Sequence, residues 1–177
     1  MHENQDWVAA FEEISAIITE KIPEIKFVDL WAGQADSPGD EYPFALPAVF
    51  IEFNAVPEDL GNNVQNLTTD IKIRLLYIPS DDTFDGSRLS LGEFGLMLRK
   101  IYRTFHGKGG DNFSQMFRTG LNRERAMPYE WHYSQTFRCN ILDYAACPQY
   151  DEGTVEELNI SRGTPPFAQD NTFDIPV

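Results

Sequence analysis

The sequence predicts an α+β fold in the order α-β-β-β-α-β-β, a mainly antiparallel sheet packed against two helices, with an extended C-terminal arm. Three observations carry this expectation. Trp7, Phe11, Ile14 and Ile18 recur at helical spacing, and so do Leu91, Phe94, Leu98, Ile101 and Phe105. Between and after these stripes the apolar residues alternate with period two, most clearly from Leu67 to Tyr77. Beyond Cys147 the composition shifts to proline, glycine and acid, spotted with Leu158, Ile160, Phe167, Phe173 and Ile175.

The elements follow in order. A first helix is expected over about residues 5–21, with Asp6 as its N-cap and Pro23 as its stop. Ile25 to Trp31 alternates well enough for a first strand. Residues 32–45 hold Gly33, Pro38, Gly39 and Pro43 among polar and acidic residues, which is loop composition. A loop of that length in a compact domain either contacts another protein or is an ordered excursion. Leu46 to Phe53 is a short apolar run, β-branched and aromatic, and reads as a second strand with Pro47 tolerated only at its first position.

Val56 to Val64, with Pro57, Gly61 and Asn62-Asn63, reads as a turn or wide hairpin connection. In the third strand Leu67, Thr69, Ile71, Ile73, Leu75 and Tyr77 point one way, and Thr68, Asp70, Lys72 and Arg74 point to a face that is wet or shared. The second helix has Met97 beside its stripe, a possible capping box in Ser90 and Glu93 or a start one turn earlier near Ser87, and Gly107 as a left-handed C-cap. Two last strands, about Phe113 to Arg123 and Trp131 to Asp143, pair antiparallel. In the second of them Trp131, Tyr133, Phe137, Cys139 and Ile141 share one parity.

With 177 residues, of which 42% are apolar and 13% aromatic, the chain can build one sizeable core. Residues 1–147 are therefore read as a single α+β domain and residues 148–177 as the arm. No run approaches the ~18 apolar residues of a membrane helix, and the N-terminus from Met1 to Asp6 is acidic where a signal peptide would be basic. The expectation is a cytoplasmic protein with no membrane partner.

The net charge of −14 argues against binding nucleic acid through its phosphates, which needs clustered lysine and arginine. The acid gathers at Asp36 to Glu41, Asp81 to Asp85 and Asp151 to Glu157, as in solvated loops. Cys139 reads as a small core residue; with Cys147 alone it makes neither a disulfide framework nor a four-ligand zinc site.

Motifs that carry chemistry are weak. Asp81, Asp85 and Gly86 sit where the first, fifth and sixth positions of a calcium loop would be. Thr83 at the third and Gly92 at the twelfth lack the ligands that complete it, so a polar turn feeding a helix is the better reading. His106-Gly107-Lys108-Gly109-Gly110 follows a helix end and leads to Asp111, whereas a phosphate loop precedes a helix and continues from lysine to Ser or Thr. The histidines His2, His106 and His132 show no metal spacing, and a His132–Asp143 acid-base pair has no more support than any such pair. No catalytic, cofactor-binding or metal-binding residue is therefore assigned, no cofactor is expected, and an enzyme is the minority reading.

The opening helix, then Ile22-Pro23-Glu24-Ile25-Lys26-Phe27-Val28-Asp29-Leu30-Trp31-Ala32-Gly33-Gln34, then Tyr42-Pro43-Phe44-Ala45-Leu46-Pro47-Ala48-Val49-Phe50-Ile51-Glu52-Phe53, resembles the start of tail-terminator and tail-completion proteins of tailed bacteriophages and prophages. The helix ending Thr104-Phe105-His106-Gly107 resembles the second helix of that family. The resemblance covers roughly residues 5–145 and has no counterpart for the tail after Cys147. It implies a non-enzymatic structural protein that forms a homo-oligomeric ring, commonly a hexamer, capping the tail tube and joining it to the neck. Its partners would be tail-tube and neck proteins, and its place the host bacterial cytoplasm during assembly and then the virion tail.

Residues 32–45, 79–86 and the arm are where subunit and tube contacts would be sought, from their loop composition. The arm either docks on a neighbouring subunit or packs back on its own core. Carboxylates facing the lumen of such a ring would repel DNA and let it slide. The alternatives are a small-molecule-binding or enzymatic α+β domain with a pocket between sheet and helices, and a cytoplasmic adaptor unrelated to phages.

Overall fold

The computed structural model describes residues 6–34, 42–79, 88–127 and 130–147. The calcium-like turn at Asp81 to Gly86, the tip of the long loop and the arm lie outside them. The order is α1 (Trp7–Lys21), β1 (Phe27–Leu30), β2 (Ala48–Gly61), β3 (Val64–Tyr77), α2 (Arg88–Phe105), β4 (Phe117–Met127) and β5 (Glu130–Asp143). The α+β class, the element order and two helices on a mainly antiparallel sheet are all as the sequence predicts.

Asp6 starts α1 as expected, its carboxylate accepting from the amides of Val8 at 2.8 Å and Ala9 at 2.9 Å. The buried stripe is Ala10, Ile14 and Ile18, with Phe11 half-buried and Trp7 at its exposed margin. Helix α2 buries Phe94, Met97, Ile101 and Phe105, and Gly107 beyond it has φ +76°, the left-handed cap its position requires.

The five strands lie in the order β1-β2-β3-β5-β4. Only β1–β2 is parallel; the other three pairs are antiparallel. One face, carrying Val49, Ile51, Ile71, Ile73, Leu75, Phe137, Cys139 and Ile141, packs under both helices to form the main core. Each fully buried Ile, Leu or Phe there contributes roughly 1.5–3 kcal/mol from the area it removes from water. The opposite face is covered at one end by a second cluster, where Phe27, Trp31, Tyr42, Phe44 and Leu46 lie over Ala48, Phe50 and Leu76. Loop residues that flank the long connection therefore serve as a lid on the sheet.

Three expectations are corrected. Val56 to Val64 is no wide turn: β2 runs on to Gly61 and reverses through Asn62 and Asn63 alone, at φ +55° and +61°. Pro57 is compatible because β1 ends at Leu30 and leaves this part of β2 an edge. The Ile51 carbonyl accepts from the Trp31 amide at 2.8 Å, so the same parity at 53, 55 and 57 turns its backbone outward, where a missing N–H breaks no ladder. The fourth strand begins at Phe117, not Phe113, and reaches Met127. Phe113 and Met116 are buried in the approach to it, held by bonds such as Gly107 N to Met116 O at 2.7 Å. His132 is on the parity opposite the helices, as expected, yet only 2% exposed, because the Trp31 ring lies 5.7 Å from it.

Candidate interaction surface

The uncovered part of the second sheet face is polar, and its charges are satisfied within the fold. Arg74 on β3 donates through Nε at 3.1 Å and Nη2 at 2.5 Å to Glu52 on β2, and its Nη1 lies 3.0 Å from Glu124 on β4. Lys72 reaches the other Glu124 oxygen at 2.8 Å, and the Ser134 hydroxyl of β5 donates to the same oxygen. The guanidinium of Arg74 also lies 4.3 Å from the centre of the Trp31 ring. Arg123 pairs with Tyr133 on the helix-side parity, so Glu124 after it falls on this face, and the small buried Ser134 leaves it room to cross β5. Burial works to raise the Glu124 pKa, but Lys72, Ser134 and Arg74 outweigh it and hold the carboxyl at about 2.

Further toward the β2–β3 turn, Arg138 grips Asp70 with two bonds of 2.8 Å, and Thr68 donates to Asn140 at 3.3 Å. Glu52, Asp70, Lys72, Arg74, Glu124 and Arg138 together cancel in charge. The acid of the protein is elsewhere. The described residues include fifteen of the 28 acidic positions and thirteen of the 14 basic ones, so they are nearly neutral. The excess falls in the remaining segments, which hold thirteen acids against Arg162 alone.

The two ends of the sheet differ. From Glu52 to Gly61 the outer side of β2 pairs with no described strand, and from Ala48 to Asn66, beyond the Arg74-paired Glu52, the chain has Glu58 and Asp59 but no lysine or arginine. Val56 and Leu60 there are 71% and 56% exposed. At the other end β4 pairs only with β5 and carries Arg118, Arg123 and Arg125, while its single acid, Glu124, is turned inward. Phe117 and Leu121 on β4 are each 51% exposed. One end is acidic and the other basic, and each exposes apolar side chains beside an unpaired strand edge.

The remaining sequence candidates have structural roles. The His106 Nδ1 accepts the Arg118 amide at 3.1 Å and its ring lies 4.7 Å from Tyr102, so it ties the start of β4 to the end of α2. In the glycine-containing loop the amides a phosphate would take are already engaged: Glu13 accepts from Asp111 N at 2.8 Å and from Asn112 N at 2.9 Å. Cys139 is buried and its thiol is pushed up to about 12, by burial first and then by Asp70. Cys147 is a free thiol with its Sγ 3.6 Å from the carbonyl oxygens of Asn62 and Asn63.

Among the described residues no three His, Cys, Asp or Glu cluster as a metal site would require, and no helix is long and apolar enough to cross a membrane. The grooves of the described residues include one of about 410 Å³ between Asn66, Asn112, Phe113 and Asn140, and one of about 390 Å³ between Trp7, Trp31, Phe53 and Leu67. Sequence reasoning missed the Glu52–Arg74–Glu124–Lys72 network. Its signal was two basic residues on the polar parity of a central strand, which need nearby carboxylates when neighbours flank them on both sides.

No protein-family model matches the chain, and no curated protein matches it. Among solved structures it is similar to a chain of the "Virion of native gene transfer agent (GTA) particle", at 10% sequence identity and a TM-score of 0.46, over 73% of this chain and 84% of that one.

Proposed function

We propose that this protein is a structural component of a phage-like particle that assembles end to end into a closed ring, and that the ring terminates a tail tube and joins it to the neck. The observation that carries this reading is the polarity of the sheet: its β2 end is acidic and its β4 end basic, with unpaired edges and exposed apolar residues at both. Two unlike, complementary patches on one subunit make a heterologous contact, and repetition of a heterologous contact closes into a ring when the rotation permits. A two-fold dimer would instead need a patch complementary to itself.

The resemblance of residues 22–34, 42–53 and 104–107 to tail-terminator proteins supplies the particular role. The internally neutralised sheet face fits it, because side chains that satisfy each other leave a surface that neither attracts DNA nor needs a counter-ion. Light scattering over a wide concentration range, followed by electron microscopy of any large species, tests the reading. Closed rings of about six subunits support it, and a tight two-fold dimer contradicts it.

A further inference from the structure

The basic end of the sheet is more than the edge of β4. The Arg118 guanidinium lies over the Tyr102 ring of α2, 3.9 Å from its centre, so β4 and one flank of that helix form a single strip. Arg99, one turn before Tyr102, shares the flank and is exposed, and Arg123 is exposed on β4. Leu121 exposes half its surface along the same strip, and Phe117, next to Arg118, exposes half of its own at the same edge from the other face of the strand. Glu124 is committed to Lys72 and Arg74 on the other face, so it does not neutralise these arginines. From Thr119 to Glu124 the outer edge of β4 pairs with no described strand. The strip calls for an acidic segment with apolar residues at alternate positions.

The chain carries such a segment. In the sequence Glu156, Leu158 and Ile160 share one parity, with Val155, Glu157 and Asn159 on the other and Asp151 and Glu152 before them. The place where the described chain ends indicates whose strip it meets. Past β5 the backbone turns at Cys147, whose amide donates to Tyr144 O at 2.9 Å, and Cys147 comes to rest against the β2–β3 turn. That is across β3 from β5, on the side away from β4. The chain therefore leaves from the acidic end, and in an end-to-end ring that end faces the β4 end of the next copy.

We infer that residues Asp151 to Ile160 of one copy dock along the strip formed by Leu121, Phe117, Arg99, Arg118 and Arg123 of a second copy, adding to the edge of β4 and strapping the two subunits together. The inference rests on the end-to-end reading above. Added strands bind through backbone hydrogen bonds, with alternate side chains setting specificity. Between Cys147 and the docked segment lie Pro148 to Tyr150, a reach of about 13 Å, which covers the one to two strand spacings of ~4.8 Å from the β2–β3 turn past the β2 edge, so the strap can cross a subunit boundary.

The test uses full-length chains in a Cys147→Ser background. One sample mixes chains bearing Leu121→Cys with isotopically heavy chains bearing Leu158→Cys; a second carries both substitutions in one chain. After mild oxidation, the first should give covalent dimers of one light and one heavy chain, and the second a ladder of linked chains, both weakening as salt rises. A link that closes within single chains of the doubly substituted protein overturns the inference, because the arm then docks on its own strip. Absence of any link in a sample that light scattering shows to be a ring also overturns it, while leaving the ring reading standing. If neither rings nor links form, the end-to-end reading fails, and the inference with it.

Discussion

Glu124 on the edge strand β4 lies 3.0 Å from Arg74 on β3, although β5 runs between them. The contact requires the alternation that puts Glu124 on the Arg74 face, a serine small enough to be crossed, and an arginine long enough to meet it. It fastens an edge strand with exposed apolar residues to the centre of the sheet.

The first prediction concerns acid stability. Glu124 has a folded pKa of about 2 against an ordinary value of 4.5. A depressed carboxyl stabilises the fold above its unfolded pKa and loses that contribution as pH falls through the folded one, so the window is about pH 4.5 down to 2. Glu124→Gln should cost about 3 kcal/mol at pH 7 and flatten the acid limb of a denaturation profile in that window. Equal slopes for both proteins below pH 4.5 would show that Glu124 does not couple folding to protons.

The loop after α2 gives a second prediction. Its Asp111 and Asn112 amides donate to Glu13 of α1, nearly a hundred residues earlier in the chain. Gly110 is required there, because a Cβ would fall 2.1 Å from the Glu13 carboxylate and 2.7 Å from the Phe113 ring. Glu13→Ala should destabilise by about 1–3 kcal/mol and speed hydrogen exchange at those two amides. Unchanged exchange rates would mean that the loop is held by its other bonds alone.

The β2–β3 turn gives a third. Asn62 and Asn63 both have positive φ, which asparagine tolerates and β-branched residues do not. Replacement of either by glycine should leave the melting temperature nearly unchanged. Asn63→Val should lower stability by about 1–2 kcal/mol. A valine variant as stable as the parent would remove the two-residue turn as the cause of the hairpin's register.

These elements also show what the sequence made legible. Helical spacing in Ile14 and Ile18, alternation from Leu67 to Tyr77 and the Gly107 cap are local signals, and each marks its element within a few residues. The extension of β2 was hidden by Pro57, which usually signals a break; only the sheet order reveals that its nitrogen faces an edge. His132 read as outward because parity does not record that Trp31, a hundred residues earlier, folds over it. The charged network was illegible for the same reason, since Glu52, Arg74 and Glu124 meet only once four strands are in register. The acidic and basic ends of the sheet are visible as composition in β2 and β4, but their placement at opposite edges is a property of topology.

A fourth prediction follows from those ends. Arg123→Glu reverses the charge at an exposed position whose side chain makes no ion pair or hydrogen bond among the described residues, so folding should change by less than about 0.5 kcal/mol. Association should weaken, and a compensating Glu58→Arg at the other end should restore it in mixtures. Loss of association that no charge swap repairs would point to a different contact surface.

The central claim is that unlike ends of one sheet join copy to copy into a ring. It is tested most directly by absolute mass from light scattering at low and high salt, on the parent and on the Arg118→Glu, Arg123→Glu double variant. The account predicts a discrete closed species of about six chains for the parent at low salt, and smaller species for the variant or at high salt. A salt-independent dimer, identical for parent and variant, would contradict it.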